Sequence, residues 1–343
     1  MVEKQGLRVL LVGSWGPGTL ERAYAGAFEQ AGCEVLRFDL FSLEQRFVRL
    51  GAPGRFFNRF VPVEPWIRKA NRQLLLESRD FRPDVIVAVG QNRVLAGALA
   101  QTLLVTRARA VYIWPDTLVY LSGERIDALP LYDLVATYSR ESVSLLQQLG
   151  ARHTAWVPLA GDPTASRDRE LDGPFAADVS FIGRWRPGRE AALAALLEGL
   201  PGRDVKIWGP EWGRRTRGRV RAAWQGRSLF GEEFARAVAS SKVNLNVIDD
   251  TNFPAPNNRF FEIPCLGGLQ LSSACPEMED EFQQGRDICY YREVGEIPDL
   301  VRNLLSDETR RAEIARGGAE KARGAHTWGH RVRQILDLAG LSR

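Results

Sequence analysis

Leu7-Arg8-Val9-Leu10-Leu11-Val12-Gly13-Ser14-Trp15-Gly16-Pro17-Gly18-Thr19 decides the fold of the first half of this chain. It is an aliphatic run, then a glycine-bearing turn, then a helical spacing of apolar positions from about Leu20 to Gln30. A strand that is apolar at nearly every position is buried on both faces, and one that leads through a turn into a helix is the first half of a parallel crossover. Similar runs follow at Glu34–Phe38, Asp84–Val89, Ala110–Trp114, Leu134–Thr137 and Thr154–Val157, with helical stretches between most of them. The alternation predicts a parallel sheet covered by helices on both faces, doubly wound because such crossovers are right-handed.

Periodicity lapses at Pro158-Leu159-Ala160-Gly161-Asp162-Pro163 and through the charged stretch to Gly173-Pro174, which reads as a linker. The rhythm then restarts with strand Asp178–Ile182, helix Arg189–Leu200, strand Val205–Trp208, helix Glu232–Ser240, strand Val243–Val247, helix Asn258–Leu266, strands Leu269–Leu271 and Ile288–Tyr290, and helix Ile297–Leu305. A last helical region runs from about Thr309 to the C-terminus, interrupted by Gly317-Gly318 and Gly324. The expectation is an α/β protein of two doubly wound, Rossmann-like domains. Residues 1–162 form the first, residues 175–322 the second, and a helix over 323–343 crosses back to the first. Such domains bind ligands outside the carboxyl ends of their strands, so two sheets facing across a cleft would hold the functional site between them.

Composition narrows the class. The chain has 343 residues, 45% hydrophobic and 26% charged, which excludes disordered, collagen-like and coiled-coil proteins. With no uncharged apolar run of ~20 residues and no apolar leader before the first strand, neither a transmembrane helix nor a signal peptide is expected, and the default address is the cytoplasm. Cys33, Cys265, Cys275 and Cys289 are widely spaced and only His153, His326 and His330 could join them, so a zinc site or disulfide framework is not expected. Of 46 basic residues only Lys4, Lys69, Lys206, Lys242 and Lys321 are lysine. Arginine forks suit phosphate or carboxylate ligands, although a GC-rich coding sequence or a heat-adapted source raises arginine equally well.

Three loops could carry chemistry. The first is Gly13 to Thr19. Its spacing, Gly-x-x-Gly-x-Gly, is not the Gly-x-Gly-x-x-Gly of dinucleotide binding, Pro17 removes an N–H, and Asp39 is only a lone acid after a strand, so NAD is disfavoured. Either a tight turn that needs glycine or an acceptor-side loop of Ser14, Trp15 and Gly16 remains. The second loop follows Asp178-Val179-Ser180-Phe181-Ile182-Gly183, where Arg184, Arg186 and Arg189 form a solvated basic turn or converge on a diphosphate. The third runs from Thr251 through Asn257-Asn258-Arg259-Phe260-Phe261-Glu262-Ile263-Pro264-Cys265-Leu266-Gly267-Gly268. Asn257 or Asn258 can cap a short helix there, with Arg259 and Glu262 spaced i, i+3. A carboxylate for the two hydroxyls of a ribose, beside arginines for a diphosphate, would equip a nucleotide-sugar site; a plain surface ion pair is the alternative.

These residues carry a resemblance. Asn244-Leu245-Asn246, the Asn258–Gly268 run, Glu279, Phe282-x-x-Gly285 and His326-Thr327-Trp328 with Arg331 look like the C-terminal half of family-one-type GT-B glycosyltransferases, nearest the CgeB-like, spore-maturation group. Pro158–Asp162 and Gly183–Arg189 resemble that family's domain-ending segment and diphosphate turn. The resemblance covers about half the chain and implies transfer of a sugar from a nucleoside-diphosphate sugar to an acceptor hydroxyl. It implies that Arg184 and Arg189 hold the diphosphate, with Asn258 and Arg259 beside them, that Glu262 holds the ribose, and that Gly267 and Gly268 leave backbone N–H groups near the phosphates. Glu262 would be the second of two glutamates separated by seven residues; the first falls at Pro254 and is absent.

Asp116, in Tyr112-Ile113-Trp114-Pro115-Asp116, is the candidate general base, with a turn-initiating Asp beside Pro115 as the alternative. No Asp-x-Asp occurs, and fixed arginines can neutralise a leaving diphosphate, so no metal and no cofactor beyond the sugar nucleotide is expected. The interleaved basic and aromatic residues between 37 and 72 (Arg46, Arg49, Arg55, Arg59, Arg68 and Lys69 with Phe41, Phe47, Phe56, Phe57, Phe60 and Trp66) form a solvated face or touch anionic lipid or a large acceptor. Nucleic acid is not an expected partner. A nucleotide-sugar epimerase and a non-catalytic nucleotide-sugar binder are the competing readings.

Overall fold

A computed structural model describes residues 6–44, 53, 64–164 and 173–342. The chain divides into two units, Met1–Pro158 with Arg331–Arg343, and Leu159–His330.

In the first unit, β1 (Arg8–Gly13), β2 (Glu34–Asp39), β3 (Val85–Val89), β4 (Arg109–Trp114), β5 (Leu134–Thr137) and β6 (Thr154–Trp156) form one parallel sheet in the order β2-β1-β3-β4-β5-β6. The chain steps from β1 outward to β2, then returns to place β3 on the other side of β1, so the carboxyl ends of β1 and β3 flank the point where winding reverses. Helices α1 (Leu20–Gln30), α2 (Leu40–Glu44), α3 (Glu64–Phe81), α4 (Ala96–Thr106), α5 (Gly123–Ala128) and α6 (Arg140–Gln148) belong to this unit. β3 is buried at every position, as its unbroken Val-Ile-Val-Ala-Val run requires.

The second unit repeats the plan. β7 (Ala177–Ile182), β8 (Val205–Trp208), β9 (Ser241–Asn246), β10 (Gln270–Ser273) and β11 (Cys289–Tyr291) are parallel in the order β11-β10-β9-β7-β8, so winding reverses between β7 and β9. Its helices are α7 (Pro187–Gly199), α8 (Trp212–Arg215), α9 (Gly218–Ala223), α10 (Gly231–Ser240), α11 (Arg259–Cys265), α12 (Ile297–Ser306) and α13 (Glu308–Ala325); α14 (Trp328–Leu338) starts in this unit and ends in the first. From Val243 to Asn246, β9 alternates apolar and polar residues. Val243 and Leu245 join the apolar layer under α7 and α12, whereas Asn244 and Asn246 point to the face covered by α10 and α11.

Both sheets are parallel and doubly wound, as the periodicity predicts. The interruption expected at Gly317-Gly318 does not occur, because α13 runs through those residues and Gly324 without a break. The glycines at 317 and 318 serve close packing instead: a Cβ on Gly317 would lie 2.4 Å from the Arg286 carbonyl oxygen, and one on Gly318 2.4 Å from that of Asp287. Of the arginines between 214 and 227, Arg214 and Arg215 end α8 and Arg219 and Arg221 lie on α9. Within the 37–72 segment, Arg46, Phe47, Arg49, Arg55, Phe56, Phe57, Arg59 and Phe60 lie outside the described residues; Arg68 pairs with Glu64 at 3.2 Å and Lys69 sits over the Trp66 ring. No described helix is long and apolar enough to cross a membrane.

Candidate functional site

The carboxyl ends of β7 and β9 gather residues from three separate stretches. Gly209 brings the end of β8 so close to the turn after β7 that a Cβ there would overlap the Gly183 carbonyl oxygen at 1.9 Å, and Trp212 donates through Nε1 to that same oxygen at 2.8 Å. The turn carrying the arginines is thereby held from behind. Pro187, the first residue of α7, lacks only an N–H that a helix start leaves unused.

Arg189, in the first turn of α7, donates to the Val247 carbonyl at 3.3 Å and the Arg184 carbonyl at 3.0 Å. Among the described residues it forms no ion pair. Burial draws its guanidinium below the ordinary arginine pKa range; Asp249 opposes this, and the neighbouring charges of Arg186 and Arg259 add to it. The other two sequence candidates are not bare cations. Arg184 pairs with Glu211 at 2.9 Å and Arg186 with Asp249 at 3.2 Å, acids that lay outside the sequence reading.

Arg259 opens α11. Its Nε donates to the Ile182 carbonyl at 3.1 Å, its guanidinium lies 4.0 Å from the Phe234 ring centroid, and Nη1 pairs with Glu262. Glu262 also accepts from Asn258 Nδ2 at 2.9 Å. With side-chain exposures of 28% and 21%, Arg259 and Glu262 are half-buried. Of the two possible caps it is Asn257 that serves: its Oδ1 accepts the Phe260 N–H at 3.1 Å, while Asn258 has entered helical geometry and makes no cap bond.

Gly267 and Gly268 correct an expectation. Their N–H groups do not wait for phosphate but end α11, donating to the carbonyls of Pro264 at 2.8 Å and Ile263 at 3.0 Å. Gly267 has φ 85°, and a Cβ on Gly268 would meet Val238 at 2.5 Å and Asn244 at 2.8 Å, so both are glycine for the helix stop and the packing beneath it.

At the equivalent reversal of the first unit, Gly13–Thr19 makes a tight turn between β1 and α1. Glu21, 8% exposed, folds its carboxylate under Gly13, where a Cβ would meet it at 2.6–2.9 Å, and accepts the Ser14 N–H at 2.9 Å. Burial, the largest cause, raises the Glu21 pKa. Thr19 Oγ1 closes back on the Gly16 carbonyl at 3.1 Å, and the Arg37 guanidinium lies 5.5 Å from the Trp15 ring. Buried Asn92 ties Val12 to Val89 through their carbonyls. Glu21 and Asn92 escaped the sequence reading; a glutamate two positions after an N-cap is a signal for the first, and nothing local marks the second. Asp116 accepts from Gln91 Nε2 at 3.0 Å and from the Thr117 N–H at 2.8 Å, the latter a turn contact. Asp39 accepts the Ser42 N–H at 2.8 Å, a local turn bond.

His326 is buried 5.2 Å from the Phe261 and Phe282 ring centroids, with its Nε2 3.0 Å from Glu281, and its carbonyl accepts the Gly161 N–H at 2.9 Å. Glu279 pairs with Arg292 at 3.1 Å.

Residues 186–337, the stretch that carries Arg186, Arg189, Arg259 and Glu262, match the family model described as glycosyl transferase-like. No curated protein matches the chain in sequence. Among solved structures the chain is similar to trehalose 6-phosphate synthase from Burkholderia multivorans, with TM-score 0.67 and 12% identity over 98% of each chain. It is also similar to sucrose-phosphate synthase from Thermosynechococcus elongatus, with TM-score 0.66 and 11% identity over 97% of this chain and 98% of that one. A third is HepE from Anabaena in complex with UDP-glucose, with TM-score 0.63 and 15% identity over 97% of this chain and 99% of that one. The fold is therefore the GT-B fold of two doubly wound α/β domains.

Proposed function

We propose that this protein is a metal-independent, hexosyltransferase-like glycosyltransferase of the CgeB-like kind, using a nucleoside-diphosphate sugar. The observation that carries the reading is the meeting of Arg189 with the Arg259–Glu262 pair at the reversal point between β7 and β9, where doubly wound sheets bind their ligands. Arg189 and Arg184 take the diphosphate, Arg184 exchanging Glu211 for phosphate oxygens, and Glu262 accepts the ribose hydroxyls. Asn258 and Arg259 hold the Glu262 carboxylate in place. The acceptor binds to the first unit, near Ser14, Trp15 and Gly16. The bond from the anomeric carbon to the diphosphate oxygen breaks as one to the acceptor oxygen forms, the acceptor proton passes to Asp116, and the nucleoside diphosphate leaves with its charge balanced by guanidinium groups.

Two further observations support the reading: the family-model match over the stretch that carries Arg189, Arg259 and Glu262, and the structural likeness to HepE, which has been captured with UDP-glucose. Pro254, where the resemblance would place the first of the two glutamates, favours one alternative, a binder without turnover.

The test is a thermal-shift screen against UDP, GDP, ADP and TDP, their sugars, and NAD. A specific ligand at 100 times its Kd adds about 2.7 kcal/mol of stability. Stabilisation by one nucleoside diphosphate and its sugar is expected. Response to NAD alone, or to nothing, overturns the proposal, and binding without turnover of any acceptor selects the binder.

A further inference from the structure

Asn246, the last residue of β9, is 3% exposed and has each half of its amide engaged. Its Oδ1 accepts from Asn257 Nδ2 at 2.9 Å, and its Nδ2 donates to Ser272 Oγ at 3.2 Å. Ser272 is fully buried on β10, in register with Asn246. Asn257 in turn caps α11 through the Phe260 N–H and reaches the Val247 carbonyl at 3.4 Å. The polarity of this chain of bonds is determined from one end. The Phe260 N–H can only donate, so Asn257 turns Oδ1 to it and Nδ2 away; Asn246 must then present Oδ1, which leaves its Nδ2 facing Ser272. Reversing either amide sets donor against donor. Buried polar groups with one permitted arrangement specify a single geometry.

We propose that Asn246, backed by Ser272, is a positioning residue for the nucleotide site. It fixes the cap of α11, and through the cap the direction in which Arg259 and Glu262 project. This rests on reading that cluster as a nucleoside-diphosphate site.

Asn244 provides the internal control. It lies two residues earlier on the same strand, is 1% exposed, accepts from Ser180 Oγ at 2.8 Å, and donates to the carbonyls of Val238 and Leu269 at 3.2 Å, with no bond to the α11 cap. A structural role alone would make both asparagines matter for stability and neither for affinity.

The experiment measures Kd for UDP, GDP, ADP and TDP by calorimetry, at a temperature well below each variant's Tm. Asn246→Leu, which keeps the branched outline of the side chain and breaks the chain of bonds, loses about tenfold in affinity. Asn244→Ser lowers Tm and leaves Kd unchanged. Should Asn246→Leu fail to fold, Ser272→Ala is read instead, with a loss of about threefold. Unchanged affinity in Asn246→Leu, or an equal loss in Asn244→Ser, overturns the inference while leaving the nucleotide site standing. Binding of none of the four by the wild-type chain overturns both.

Discussion

Arg259 Nε donates to the carbonyl of Ile182, 3.1 Å away and 77 positions back along the chain. The first residue of α11 is thus stapled to the last residue of β7, and the guanidinium that pairs with Glu262 is held by a bond needing no ligand. Lysine has one nitrogen and cannot make the planar fork that serves both partners. Arg259→Lys is expected to lose nearly as much nucleotide affinity as Arg259→Ala, whereas Arg184→Lys, at an exposed position, keeps most of it. Calorimetric Kd values for the three variants check this; full affinity in Arg259→Lys would show that the staple is not what holds the pair.

Glu262→Ala should weaken the free nucleoside diphosphate and the intact sugar nucleotide by the same factor, about tenfold or more, because the ribose is common to both. A loss confined to the sugar nucleotide would move Glu262 from ribose to sugar.

Two helical glycines of α13 should respond in opposite directions. A methyl group added at Gly324 would have nothing within 4 Å, so Gly324→Ala gains about 0.5–1 kcal/mol from helix propensity. In Gly317→Ala the methyl meets the Arg286 carbonyl oxygen at 2.4 Å, and overpacking costs about 1–3 kcal/mol. Urea unfolding midpoints decide it.

Glu21 gives stability a pH dependence of known sign. Its pKa is raised above the ordinary 4.5, so the folded state holds the proton more tightly than the unfolded chain does, and stability is lost as pH rises through the folded value. Glu21→Gln keeps an oxygen for the Ser14 N–H and removes the buried charge. Its Tm should exceed that of wild type at pH 7, with the gain shrinking toward pH 4; a gain that does not change with pH would contradict the assignment.

Thiol reactivity should follow burial. Cys265, Cys275 and Cys289 are buried, and burial pushes the Cys289 thiol up to about 11 and that of Cys275 higher still. Under native conditions at pH 8 a disulfide reagent should modify Cys33 first, with the other three reacting only on unfolding. Early labelling of Cys275 or Cys289, located by peptide mapping, would contradict this.

Which elements form was legible because their signals are local. Val85–Val89, short, unbroken and rich in β-branched residues, reads as a strand buried on both faces, and Leu20–Gln30 has the helical period at the residues where α1 is found. The second unit's Arg184, Arg189, Arg259 and Glu262 were legible as residue types that suit a diphosphate and a ribose. Their acidic counterparts, Glu211 and Asp249, were not, because each becomes a partner only when the ends of β8 and β9 arrive beside the turn after β7. Gly317 and Gly318 read as helix breakers because propensity is a local quantity, while the backbone of Arg286 and Asp287 that demands them is some thirty residues earlier in the chain.

Sequence alone therefore determined two parallel, doubly wound sheets and a candidate set of site residues, since period and residue type act over a few positions. Tertiary structure decided how those residues are used. It made Asn257 the cap, turned the N–H groups of Gly267 and Gly268 to ending a helix, held the Arg189 guanidinium on the carbonyls of Arg184 and Val247, and linked Ser272 through Asn246 to α11. Hydrogen bonds between strands far apart in the chain have no local signature, because their partners meet only when the sheet closes.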